Sequence, residues 1–96
     1  MRRTKSEPVG ELLRAFLRQQ GLETPLNEYR LIQGWEQVVG PTVNRYTRDL
    51  HIRNQTLYVR LISPALKQEL MMLRRSYIER LNAYVGAQVI ADIVFV

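Results

Sequence analysis

The period of the apolar residues changes at Asp49, and that change constrains the fold more than any other feature. Before it, apolar side chains recur at helical spacing. Val9, Leu12, Leu13, Phe16 and Leu17 follow the i, i+3, i+4, i+7 rule, and Leu31, Ile32, Trp35, Val38 and Val39 form one broad face. From Asp49 the period is two. The stretch "DLHIRNQTLYVRLI" predicts two strands around Asn54-Gln55. Leu50, Ile52, Leu57, Val59 and Leu61 share one face of that hairpin; His51, Arg53, Tyr58 and Arg60 share the other. Asn-Gln is a weaker turn than Asn-Gly, so a slightly longer loop is expected. Helical spacing then returns. Leu66, Leu70, Leu73, Tyr77, Leu81 and Tyr84 fall in one stripe, and Met71, Ile78 and Val85 repeat every seven residues on an adjoining flank. The closing "QVIADIVFV" is rich in β-branched residues and predicts a third strand.

Local signals bound these elements. Residues 1–5 carry three positive charges and read as a flexible basic arm ahead of a single domain, 6–96. Ser6 can cap the first helix and Gly21 can stop it. Thr24-Pro25 starts a second helix that runs to about Val39 and stops at Gly40-Pro41. Gly34 inside it costs about 1 kcal/mol against alanine, which suggests the close approach of another backbone. Ser63-Pro64 starts a third, long helix that stops at Gly86. The order helix, helix, strand, strand, helix, strand predicts an α+β two-layer sandwich: helices cover one face of a three-stranded sheet and leave the other open. Trp35, on the broad apolar face, reads as the pin of the core.

Composition narrows the function. The chain has 96 residues and no cysteine, which excludes disulfides and thiolate metal sites and suits a reducing cytoplasm. No apolar run approaches the length of a membrane span, and the N-terminus lacks a signal-peptide core. The one histidine, His51, sits in no catalytic or metal-binding pattern, and the acids are scattered singly. No Gly-rich phosphate loop is present. These features predict no enzyme, cofactor, metal or small-molecule substrate. The 14 Lys and Arg against nine acids give a net charge of +5, which favours a polyanionic partner.

Two surfaces are candidates. On the open sheet face, His51, Arg53, Tyr58 and Arg60 interleave basic and aromatic side chains, and Gly40-Pro41 delivers Arg45 and Arg48 to the sheet edge. On the third helix, Lys67, Arg74 and Arg75 offer further phosphate contacts. Both sets suit single-stranded or duplex DNA, and RNA fits the same features. A protein–protein adaptor docking through Met71, Ile78 and Val85 is the alternative reading.

Three blocks, "WEQVVGPTVNRYT", "LYVRLISPALKQEL" and "LNAYVGAQVIADIVFV", resemble the successive blocks of the DciA family of bacterial proteins. The stretch "GLETPLNEYRLIQGWEQV" resembles its short Bacteroidetes-type form. The resemblance implies a KH-like domain, DNA binding, and a role in DNA replication in loading or operating the replicative helicase. Larger members carry an extension that helps contact helicase and DNA, whereas this sequence ends with its last strand at Val96. Members often have an aromatic where Leu66 stands. A KH domain clamps nucleic acid with a GxxG loop between two late helices. Residues 63–85 contain no glycine, so one long helix is expected there with no GxxG loop, and nucleic acid must bind elsewhere.

Overall fold

The computed structural model describes residues 6–19 and 23–96. The basic arm and the Gly21 stop lie outside the described residues. The elements are α1 (Ser6–Gln19), α2 (Glu23–Gln33), α3 (Trp35–Val39), α4 (Pro41–Arg45), β1 (Thr47–Arg53), β2 (Thr56–Leu61), α5 (Pro64–Met72), α6 (Arg74–Val85) and β3 (Asp92–Phe95). The fold is α+β, with a three-stranded mixed sheet in the order β1-β2-β3. β1 and β2 are antiparallel, and β2 and β3 run parallel because α5 and α6 carry the chain back between them.

The hairpin turn is tighter than expected. Asn54 and Gln55 alone make it, both left-handed, with φ of 53° and 58°. Two left-handed residues give a primed turn, whose twist matches that of the strands and fixes the register. His51 therefore stands opposite Tyr58, and Leu50 opposite Val59. Leu57, Val59, Ile93 and Phe95 point to the helices and join Leu31, Trp35, Leu70, Tyr77, Leu81 and Val85 in one core. Trp35 is 1% exposed. Its indole N–H donates to Thr47 Oγ1 at 3.1 Å, and that hydroxyl donates to the Val43 carbonyl at 2.9 Å. The pin thus also ties α3 to α4 and to the start of β1.

Both long helices expected from the sequence are broken. The second ends at Gly34, restarts as α3, and turns again at Gly40. A Cβ on Gly34 would fall within the Tyr84 ring, so the glycine admits a side chain from α6 and not a backbone. Gly40 has φ 94° and ψ 161°, a backbone region open only to glycine. The third helix breaks at Leu73 (φ −103°, ψ 13°) into α5 and α6. A straight helix over residues 64–85 would run about 33 Å, much longer than this sheet. The break turns the chain so that Leu70, Tyr77 and Leu81 all stay buried, while Leu73 and Tyr84, expected in the same stripe, are half exposed.

The third strand is shorter than its composition suggested. Residues 88–91 are not strand, although Val89 and Ile90 are buried. The Asn82 side chain holds them: its Oδ1 accepts the Val89 and Ile90 N–H groups at 2.9 and 3.1 Å, and its Nδ2 donates to the Ile90 carbonyl at 2.9 Å. An amide from α6 thus binds backbone groups that a longer ladder would use.

The first helix departs most from expectation. Leu12 is 71% exposed, and the side chains of Leu13 and Phe16, on the same apolar stripe, also stand in solvent. No described helix is long and apolar enough to cross a membrane.

Candidate nucleic-acid interface

The pleat sends alternate residues of each strand to the face away from the helices, and the register lines them up in rows. Nearest the hairpin turn, Arg53, Thr56 and Asp92 form one row. His51, Tyr58 and Val94 form the next, and Asp49 stands beside Arg60 in the third. In the middle row the His51 and Tyr58 rings stack, with centroids 4.9 Å apart and planes inclined by 10°. Direct opposition on paired strands brings the rings into contact. Asp49 Oδ2 lies 3.3 Å from His51 Nδ1 and orients the imidazole from the strand position two residues earlier.

The face is therefore an aromatic platform between two charged rows. Each row carries one arginine and one aspartate, with the arginines on different strands. The sequence reading found His51, Arg53, Tyr58 and Arg60 but missed the acids. Asp49 shares the two-residue period of His51 and Arg53, so its place was legible. Asp92 was hidden in a segment read for its β-branched residues.

The other candidate residues separate into two groups. Arg45 ends α4, and Arg48 sits where the β1–β2 register shifts. The Arg48 guanidinium donates to the Arg45 carbonyl at 2.9 Å, so this pair caps a helix end as well as adding charge near the start of β1. Lys67 lies on α5, and Arg74 and Arg75 open α6. Arg74 Nε reaches Asp92 Oδ1 at 3.5 Å, which links the start of α6 to the first row of the sheet face. Lys67 and Arg75 are on the helical layer and are not brought onto the sheet face.

The proposed adaptor flank is not one surface. Val85 is 4% exposed and belongs to the core with Tyr77 and Leu81 of the same helix. Met71 and Ile78 do share a shallow groove with Arg74, Arg75 and Asp92. Met72, 85% exposed, also lines it, and Leu73 next to it in the chain is half exposed. Neither exposure is expected from the sequence: helical spacing places Leu73 in the apolar stripe, and periodicity carries no signal for a break.

A family model described as Dna[CI] antecedent, DciA, matches residues 8–95. No curated protein matches the chain.

Proposed function

The chain belongs to the DciA family, and on that premise we propose that it is a non-catalytic, nucleic-acid-binding accessory protein acting in the cytoplasm, in bacterial DNA replication, with the replicative helicase. The family is linked to loading of the DnaB helicase in replication. From α4 onward the order helix, strand, strand, helix, helix, strand is that of one KH topology, which supports a KH-like domain. The clamp of that topology is missing: α5 and α6 are joined through Leu73, with no glycine in residues 63–85. Binding moves to the open sheet face.

The observation that carries this reading is the stack of His51 on Tyr58 on a sheet face that no described helix covers. A base stacked on such a platform gains about 1–3 kcal/mol, and every base has a face to offer, so recognition tolerates any sequence. Arg53 and Arg60, one in each flanking row, take the phosphates on either side of that base. Asp49 and Asp92 repel phosphate from the intervening corners and confine the strand to the line between the arginines.

Titration with labelled single-stranded DNA, duplex DNA and RNA at two salt concentrations tests the proposal. Arg53→Glu with Arg60→Glu is expected to weaken single-strand binding at least about tenfold at low salt without changing the circular dichroism. Arg14→Glu with Arg30→Glu, both exposed and off the sheet, makes the same change in net charge. Equal weakening by the two variants would refute the sheet-face site. A second reading, the adaptor, is favoured by the exposed apolar corner at residues 71–73 beside Arg74 and Arg75. Under it, Met72→Asp abolishes capture of the helicase and leaves DNA binding unchanged.

A further inference from the structure

We propose that the outer edge of β1 pairs with the same edge of a second copy of this chain, giving a two-fold symmetric dimer with one continuous six-stranded sheet. The inference is independent of nucleic-acid binding and rests on three features of this strand.

The first is an open edge. β1 ends the sheet, and among the described residues no backbone group of residues 49–53 bonds to anything but β2. In a hairpin with a two-residue turn, the residues flanking the turn are a hydrogen-bonded pair, and bonding alternates from there. Arg53, His51 and Asp49 therefore aim their N–H and C=O groups at β2. Leu50 and Ile52 aim theirs outward, where a partner strand can take them. The register shift at Arg48 ends this flat run at one side and the turn ends it at the other.

The second is charge register. An antiparallel partner must match the outward groups, so only every second register is allowed, and symmetry puts the two-fold axis on a residue. With the axis on His51, Leu50 pairs with Ile52 of the second copy and exchanges both backbone bonds. Asp49 then faces Arg53 of the second copy, twice over, as non-hydrogen-bonded pairs whose side chains approach closely. Moving the axis to Leu50 sets Asp49 against His51 and leaves Arg53 without its acid. Moving it to Ile52 sets His51 against Arg53. Charge selects the His51 axis.

The third is an incomplete core. Leu50 and Ile52 point to the helical layer, yet both are only half-buried, as the last apolar residues at this edge. In the dimer each covers the other's exposed flank. The same pairing would set the two stacks of His51 on Tyr58 side by side on one face.

Five residues of strand bury less than a standard interface, so the dimer is weak and should be sought at high concentration. Sedimentation equilibrium on the full chain, from about ten micromolar to about a millimolar, is expected to show a reversible monomer–dimer equilibrium. Asp49→Arg alone and Arg53→Asp alone each oppose like charges twice and should weaken it at least about tenfold. Asp49→Arg combined with Arg53→Asp in one chain restores both pairs and the dimer. The two single variants, folded by circular dichroism and mixed in equal amounts, also restore both pairs and should associate with each other though neither self-associates. A wild-type chain monomeric throughout the range, single variants that dimerise like the wild type, or a mixture that stays monomeric would each overturn the proposal.

Discussion

Trp35 shows how one side chain can serve packing and polarity together. Its ring fills the core beneath the sheet, and its one N–H has a single partner, Thr47, whose hydroxyl passes the bond on to Val43. Trp35→Ala is expected to cost about 3–5 kcal/mol through the cavity it leaves. Trp35→Phe, which keeps a ring but drops the N–H, should cost less. Urea unfolding measures both, and an unchanged midpoint for Trp35→Ala would mean the ring is not in the core. Gly34 poses the opposite problem, since what matters is the atom it lacks. In an ordinary exposed helix, Gly→Ala gains about 1 kcal/mol. Here the added methyl displaces the Tyr84 ring, so Gly34→Ala is expected to destabilise the protein. In a Tyr84→Ala background the obstacle is gone and the same exchange should become neutral or stabilising. That change of sign, read from a double-mutant cycle in urea, separates collision from any intrinsic demand of the Gly34 backbone.

At the scale of elements, the sequence disclosed which residues share a face but not whether anything lies against that face. The hairpin was legible because a period of two admits only two faces, and one of them was apolar. The stripe of α1 was equally legible, yet Leu12, Leu13 and Phe16 stand in solvent. The breaks at Gly34 and Leu73 were not legible. Their backbone angles, near φ −90° and −103° with ψ near zero, do not require glycine, so Gly34 marks its break only by its low helix propensity and nothing marks the one at Leu73. Packing decides them: α5 lies against β2, and α6 against α2, α3 and β3. The break has a consequence that can be measured. Leu81→Asp sets an unpaired charge at the centre of the α6 contact and is expected to unfold the domain. Met72→Asp, two residues from a core leucine in sequence but almost fully exposed, should shift the melting temperature by no more than a few degrees. Equal collapse of both would mean that α5 and α6 form one continuous buried helix.

For the whole molecule, the proposed nucleic-acid binding raises the question whether +5 of net charge or the local arrangement would govern it. Length and composition pointed to a polyanion, but they could not say where it lies, because charge is a sum and a site is a geometry. The candidate residues named from the sequence prove to occupy three places: the sheet face, the start of β1 and the helical layer. The two aspartates on the sheet face also bring its own charge close to balance. If net charge alone governed binding, any two Arg→Glu exchanges would act alike, since each pair lowers the charge from +5 to about +1. The sheet-face site makes a sharper demand, because its two contributions respond differently to salt. Phosphate contacts release counterions, and for single strands each contributes about 0.7 to the slope of log K against log salt. Arg53→Glu with Arg60→Glu should therefore flatten the slope by at least about 1.4. Tyr58→Ala removes the platform beneath the base and half of the stack with His51, but no charge. It should weaken binding by about 1–3 kcal/mol at every salt concentration and leave the slope as it was. Parallel lines for wild type and Tyr58→Ala, with a shallower line for the arginine variant, are the expected result of a salt titration by fluorescence anisotropy. If the Tyr58→Ala line coincides with wild type, no base rests on the ring, and binding is phosphate contact alone.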